Sequence, residues 1–425
     1  MARPETQVPP PSKGAYAALG PYARTRLTVH ALGQSLGLDV PGDVFSTQRI
    51  DEGTQLLLSH LPQGEPRSVL DLGCGYGALG LPVAARFPKA RMLLVDRDLL
   101  AVSASGHNAK ALSLGNVEAR PSLGFRGLTP SDVPFSWVLC NVPARIGKAA
   151  IGAFLERGRA LLAPGGELRV VVIRDLVPVT ESESQARGLP LVRVVDGPRH
   201  TVFALPALAG AQPEAGPAQH AWFGAASAIE DDAALYARDR TALTLPKGQT
   251  LEIARPHDAS EDPQHAQALA LLFETLPSKP VKSALTFRCG FGGAALALLS
   301  LQPEVRVLAQ ERDLLDAAFL RVNARALGLD ARLEVRETLF PLEAARGVAF
   351  PLVVGELSPS AGPAVLAREL KETAALLSPG GEARVLVPSK ALRQELNAAA
   401  PKKSSFSVLL ERGPTSVVRL AAPRS

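Results

Sequence analysis

Cysteine is scarce in this chain: three in 425 residues, Cys74, Cys140 and Cys289, each in an apolar or glycine-rich run. Three thiols cannot build a disulfide framework, so they read as reduced cysteines of a cytoplasmic protein. Aromatic residues are sparse at 5%, and no Lys/Arg-rich run stands out. No uninterrupted apolar stretch approaches the ~20 residues of a membrane helix, so no membrane partner is expected. Met1 to Lys13 is polar and proline-rich without the apolar centre of a secretory signal, and it reads as a disordered tail. The seven histidines show no metal-ligand spacing, so no metal is expected.

What is present is a globular composition, 46% hydrophobic and 20% charged, in a chain long enough for two or three domains. The 36 prolines and 36 glycines are dispersed among apolar runs, as turns are. The net charge of +5 sits entirely in residues 1–205, with 22 Lys+Arg against 17 Asp+Glu; the remainder balances. A polyanionic partner would therefore meet the N-terminal half; the competing reading is a solubility surplus.

The chain also repeats itself. Val69-Leu70-Asp71-Leu72-Gly73-Cys74-Gly75-Tyr76-Gly77 returns, 215 residues later, as Ala284-Leu285-Thr286-Phe287-Arg288-Cys289-Gly290-Phe291-Gly292. The same offset carries Arg97-Asp98-Leu99-Leu100 onto Arg312-Asp313-Leu314-Leu315, and Asn108-Ala109 onto Asn323-Ala324. It also carries the segment Leu161 to Glu167 onto Leu376 to Glu382. A period this long means two full domains rather than a solenoid. The boundaries read as a domain at 14–205, an Ala/Gly/Pro/Gln-rich linker at 206–221 and a second domain at 222–425.

Within each copy, strand-like apolar runs alternate with helical patterns, which predicts a largely parallel sheet with helices on both faces. In the first copy strands are expected near Ser68–Leu72, Arg91–Asp96, Val117–Arg120, Trp137–Cys140 and Leu168–Ile173. Ala78–Phe87, Asp98–Leu112 and Ala149–Leu162 are expected helices. Gly165-Gly166 and Gly380-Gly381 read as structural turns before the fifth strand. Leu191–Val195 and Thr201–Leu205 are joined by too short a turn to be parallel, so the sheet should finish in an antiparallel hairpin.

Asp71 to Gly77 follows a strand and opens a helix, where glycines let the backbone turn sharply and approach a ligand. Asp96 closes the next strand, where an acid accepts hydrogen bonds from a ribose diol. An acid directly before the glycines would repel a pyrophosphate and suits a cationic ligand, such as the ammonium and sulfonium of S-adenosylmethionine. A pyrophosphate cofactor and a glycine turn serving packing alone are the competing readings. In the second copy the equivalents are Thr286, Arg288 and Glu311, which should block or repel that cofactor.

The fourth strand ends in Asn141-Val142-Pro143-Ala144-Arg145-Ile146-Gly147-Lys148. An amine conjugated to a ring or carbonyl is a weak nucleophile, and an Asn oxygen plus the next backbone carbonyl can each accept one of its N–H groups. With Asp43-Val44-Phe45-Ser46, Ile50-Asp51 and Gly53-Thr54-Gln55-Leu56-Leu57-Leu58, these segments resemble the small methyltransferase domain family across roughly residues 40–205. That family includes bacterial rRNA guanine-N2 methyltransferases, also two-copy proteins with one degenerate domain. The resemblance implies two tandem Rossmann-like class I methyltransferase domains, each a mostly parallel seven-stranded sheet with a terminal antiparallel hairpin. It implies an S-adenosylmethionine site made by Phe45, Thr54, Asp71, Gly73, Cys74, Gly75, Gly77, Asp96, Arg97, Ser122 and Asn141, with Phe45 to Thr54 closing over it. Asn141, Val142 and Pro143 would carry catalysis. Ala144, Arg145 and Lys148 would meet the substrate, although two cations there also suit a solvated helix start.

The chain departs from the pattern in four places. The equipped copy is the N-terminal one, whereas in the rRNA enzymes it is the C-terminal one. Val142 replaces a proline, Ala144 replaces the aromatic that would stack on a flipped base, and Ser122 stands where relatives carry an acid or amide near the adenine. In the second copy Gly355-Glu356-Leu357-Ser358 stands in place of the asparagine loop. The leading expectation is a monomeric RNA methyltransferase acting on an exocyclic base amine, guanine N2 in rRNA. The alternatives are a protein-amide or small-molecule methyltransferase, and a non-catalytic RNA-binding relative.

Overall fold

The computed structural model describes residues 19, 22–208, 229–259, 263–357, 363–387, 396 and 405–422. The expected tail at 1–13, residues 209–221 of the expected linker and Ser358 lie outside these residues. The chain divides into two units, Met1–Ala228 and Ile229–Ser425.

The first unit opens on an antiparallel hairpin, β1 (Ala23–Ala31) and β2 (Gln34–Pro41), a two-stranded sheet of its own. Leu27 and Val29 on one strand and Leu36, Leu38 and Val40 on the other point their alternating side chains into the core. Leu32 and Gly33 turn the chain with φ of 53° and 77°, the left-handed pair that matches hairpin twist. Then follow α1 (Glu52–Leu58), β3 (Ser68–Leu72), α2 (Gly80–Arg86), β4 (Arg91–Asp96), α3 (Leu99–Ala111), β5 (Val117–Pro121), β6 (Phe135–Asn141) and α4 (Lys148–Ala160). The unit ends with β7 (Leu162–Ile173), α5 (Val177–Ala186), β8 (Val192–Asp196) and β9 (His200–Pro206).

The sheet order is β5-β4-β3-β6-β7-β9-β8. β3 to β7 pair in parallel, while β9 runs antiparallel to β7 and β8 antiparallel to β9. This is the mostly parallel seven-stranded sheet with its antiparallel terminal hairpin. Met92 to Val95 are all buried because helices cover both faces of the central strands, which is why their run is continuously apolar rather than alternating. β5 lies at an edge and carries exposed Glu118.

Most boundaries shift by one or two residues from expectation, and three shifts have a local reason. β7 starts at Leu162: Phe135 pairs with Leu162 and Trp137 with Glu167, so the glycine turn bulges out from within the strand. A Cβ on Gly166 would lie 2.8 Å from the Ser136 carbonyl oxygen, which fixes glycine there. α2 starts at Gly80 because Gly75 to Leu79 remain in turns. α4 is capped by Gly147 and ends at Ala160, two residues short of the expected Leu162.

The second unit repeats the plan. α6 (Ile229–Tyr236) leads into the hairpin β10 (Ala237–Thr244) and β11 (Thr250–Pro256), then α7 (Pro263–Glu274), β12 (Ser283–Phe287), α8 (Gly293–Leu301) and β13 (Arg306–Glu311). α9 (Leu314–Ala326), β14 (Leu333–Glu337), α10 (Pro341–Ala345), β15 (Phe350–Glu356), α11 (Pro363–Ala375), β16 (Leu377–Val387), β17 (Ser405–Arg412) and β18 (Thr415–Ala421) complete it. Its sheet order, β14-β13-β12-β15-β16-β18-β17, is that of the first.

Hydrogen bonds show the duplication at atomic detail. Buried Asn108 donates from Nδ2 to the Asp39 and Tyr76 carbonyls at 3.0 and 2.9 Å and accepts the Asp39 amide at 2.8 Å. Asn323 does the same to Ala254 and Phe291, with donations of 2.9 Å each and an acceptance of 2.7 Å. Arg169 donates to the His60 carbonyl, and Arg384 to the Thr275 carbonyl. Every partner is displaced by 215 residues, so the repeat includes both hairpins.

Candidate active site

The C-terminal ends of β3, β4 and β6 meet where the strand order reverses direction, the place where open α/β sheets leave a crevice. Gly73, Gly75 and Gly77 carry the chain away from β3 with φ of 80°, 55° and 94°. A Cβ on Gly73 or Gly75 would meet no atom within 4 Å, whereas one on Gly77 would strike Leu81 at 2.4 Å. The first two glycines therefore border open space and the third serves helix packing.

The loop's amide donors are committed inside the protein. Gly73 and Cys74 both donate to the Val95 carbonyl, Gly77 to that of Cys74, and Gly75 to Asp96 Oδ2. A pyrophosphate would need those donors, so the loop does not suit one. The expected loop acid lies beneath: Asp71 is completely buried, and both its oxygens lack a hydrogen-bond partner. Burial pushes its carboxyl up to about 7; nearby Asp96 adds to this, and the Gly80 amide offsets part of it without closing a bond of normal geometry. An orphaned buried carboxylate below an open glycine cradle fits a cationic ligand.

Asp96 is half-buried at the end of β4; besides Gly75 it accepts the Asp98 amide through Oδ1 at 2.9 Å. Arg97 follows it, also half-buried. Cys74 turns its thiol into the core against Ser105 Oγ at 3.4 Å, and burial drives that thiol's pKa well up, so it offers no side-chain chemistry. Ser122 is buried and faces its own loop, donating to the Gly124 carbonyl and accepting the Gly127 amide, both at 2.7 Å. Its hydroxyl is not turned toward a ligand.

Asn141 is the last residue of β6. Its Nδ2 donates to Asp51 Oδ2 at 2.8 Å and to Thr54 Oγ1 at 3.0 Å. Asp51 also caps α1 by accepting the Thr54 amide at 3.1 Å. The segment before it is latched over the glycine loop, with the Tyr76 hydroxyl donating to the Ser46 carbonyl at 3.3 Å. Phe45 beside it is 73% exposed. Val142 is buried and its amide donates to the Val171 carbonyl, while Pro143, Ala144, Arg145 and Lys148 are exposed. Past Asp51 lies a cleft of about 450 Å³, lined in part by Arg49, Glu52, Arg174, Arg199 and His200. Asp51, Tyr76 and this cleft are site features that sequence reasoning did not single out.

In the second unit the corresponding space is filled. Arg288, in the place of Gly73, takes φ of 51° and donates to Glu369 on α11 at 2.5 Å. Glu356 replaces Asn141; burial raises its carboxyl, and the charges of His265 and Arg288 moderate the rise. Glu311 replaces Asp96 and accepts the Gly290 amide at 3.0 Å, but it is buried where Asp96 is half-exposed.

Residues 37–181, within the N-terminal unit, match the methyltransferase small domain family. Among its relatives is the ribosomal RNA large subunit methyltransferase G of Shewanella amazonensis, 39% identical over 32% of this chain and 36% of that protein. The ribosomal RNA small subunit methyltransferase C of Hahella chejuensis is 36% identical over 32% of this chain and 40% of that protein. The uncharacterized protein YbxB of Bacillus subtilis is 33% identical over 30% of this chain and 64% of its own length. The chain thus spans less than two thirds of each relative. At the level of fold, the T. Thermophilus 16S rRNA N2 G1207 methyltransferase, solved with AdoMet and guanosine, matches over 96% of this chain and 99% of that one. The TM-score is 0.58 at 18% identity, so both units have a counterpart in that fold.

Among the described residues no group of three or more His, Cys, Asp or Glu is placed to hold a metal ion. No helix among them is long and apolar enough to cross a membrane.

Proposed function

We propose that the N-terminal unit is an S-adenosylmethionine-dependent methyltransferase that methylates an exocyclic base amine, guanine N2, in rRNA. The observation that carries this reading is the convergence of an open glycine cradle, Asp96 and Asn141 on three adjacent strand ends. The second unit carries Arg288, Glu311 and Glu356 at the positions of Gly73, Asp96 and Asn141. Asp71, Gly73, Gly75 and Asp96 would hold the cofactor, with Phe45 and Thr54 closing one side; Cys74 and Gly77 support the loop, and Arg97 adjoins the ribose acid. The cofactor, when bound, supplies an electrophilic methyl group on a sulfonium.

The chain's own part is positioning. Asn141 Oδ1 and the Val142 carbonyl accept the two N–H groups of the target amine and aim its lone pair; Pro143 holds that carbonyl in an extended loop. As the nitrogen gains positive character these two acceptors bind its protons more strongly, which favours the transition state over the ground state. The 450 Å³ cleft past Asp51 has the volume of a small-ligand site. Arg145 and Lys148 are exposed with no ion pair among the described residues and flank the Ala144 loop at a helix start, where a cation is disfavoured unless a phosphate joins it. The reading carries with it a cytoplasmic protein working as a monomer.

Calorimetric titration with S-adenosylmethionine, followed by methyl transfer to deproteinised rRNA and nucleoside mass spectrometry, tests this. One cofactor per chain and new N2-methylguanosine are expected. Binding without RNA methylation would transfer the reading to a protein amide or small molecule; no binding at all would leave a non-catalytic relative.

A further inference from the structure

We propose that Asp51 is a positioning residue that sets the polarity of the site, holding Asn141 with its oxygen toward the substrate so that only an N–H donor fits. This rests on the reading above and names the residue that selects its acceptor class. A primary amide has one donating and one accepting end, and nothing within Asn141 decides which faces outward. A carboxylate can only accept. With Asp51 Oδ2 2.8 Å from the amide nitrogen, the NH2 end must face inward, and Thr54 Oγ1 takes its other proton at 3.0 Å. Both donors are then committed and Oδ1 is the end left for the acceptor. A substrate presenting a bare oxygen would meet a lone pair; one presenting N–H meets a partner.

The carboxylate is itself fixed. It caps the first turn of α1, and a Cβ on Gly53 would sit 2.9 Å from its Oδ2 and 2.8 Å from His200 Cδ2, so glycine alone leaves it room. The second copy supplies an internal comparison. Where the first has Asp51, Thr54 and Asn141, the 215-residue offset gives Ala266, Leu269 and Glu356. All three members are changed in the copy whose site is filled, as expected of a unit with one task.

The test is a charge exchange. D51N places two amides face to face, releases the orientation and should lower kcat 10-fold or more while the cofactor Kd stays within twofold. N141D alone sets two carboxylates against each other and should fail likewise. The double variant D51N/N141D restores a donor–acceptor pair with an oxygen facing out, although its amide nitrogen no longer accepts the Thr54 amide, and should recover kcat several-fold over either single variant. Full activity of D51N, or a double variant no better than either single one, would overturn the proposal.

A second readout needs no turnover: NMR exchange of the Asn141 side-chain NH2 protons, assigned by their loss in N141A. Protection in the wild type that disappears in D51A is expected, and unprotected protons in the wild type would overturn the proposal whatever the substrate. A wild-type enzyme that shows this protection but leaves rRNA unmethylated would sink the RNA reading alone.

Discussion

The Arg288 guanidinium donates to the Glu369 carboxylate at 2.5 Å, and the first-copy equivalents of these two residues are Gly73 and Phe154. An ion pair thus spans, in the second unit, the direction that in the first runs from the glycine cradle to α4. R288G should therefore not create a second cofactor site: it would take the Arg288 charge away from buried Glu369 and from half-buried Glu356. Stoichiometry should remain one per chain, and the second unit's thermal transition should fall, the loss of a buried partner costing about 3 kcal/mol. Two sites per chain by calorimetry would contradict this.

Asp71 makes the first unit's stability depend on pH. Its folded-state pKa lies near 7, above the ordinary 3.8, so the folded state prefers the protonated form. The stabilisation is complete below pH ~4 and disappears as pH rises through about 7, a span of ~4 kcal/mol. Apo wild-type and D71N proteins should melt alike in acid, and D71N should melt higher at pH 8. Cofactor affinity should move oppositely, rising as Asp71 ionises and vanishing in D71A; parallel melting curves from pH 5 to 8.5 would remove Asp71 from this role.

Asn141→Ala should bind the cofactor with unchanged affinity and lose methyl transfer by 100-fold or more. Unaltered turnover would exclude Asn141 from orienting the amine.

Arg145 and Lys148 should act on RNA and not on cofactor. The double alanine variant should weaken RNA binding, reduce the salt slope by 1 to 2, and leave the S-adenosylmethionine titration untouched. An unchanged salt slope would return both residues to a solvated helix start.

Asn108→Ala and Asn323→Ala each strip two carbonyls and one amide of buried partners, at about 1 kcal/mol or more per group. Each should speed hydrogen exchange in its own hairpin, β1–β2 or β10–β11, and leave the other at its wild-type rate.

Much of this was legible from residue type and spacing. Continuous apolar runs such as Met92 to Val95 mark buried parallel strands, and the Asp71 to Gly77 and Asn141 segments end strands as their chemistry requires. The first hairpin was not read. Its alternation of Leu27 with Val29 and of Leu36, Leu38 with Val40 was present, but Leu32-Gly33 is a weak turn signal because leucine rarely takes a positive φ. Side-chain direction was the larger gap. Spacing placed Ser122 in the right loop and could not say that its hydroxyl faces Gly124 and Gly127. Nor could it link Asp51 to Asn141, since the two are 90 residues apart and meet only through packing.

The 215-residue register gives this chain a built-in control. Asn108 and Asn323 report what the sheet and its hairpin require regardless of chemistry, because both copies keep them with the same bonds. Gly73 against Arg288, and Asn141 against Glu356, report what chemistry requires regardless of the sheet. Folding and catalysis have been free to drift separately here, so a substitution's place in that register foretells which of the two it will disturb.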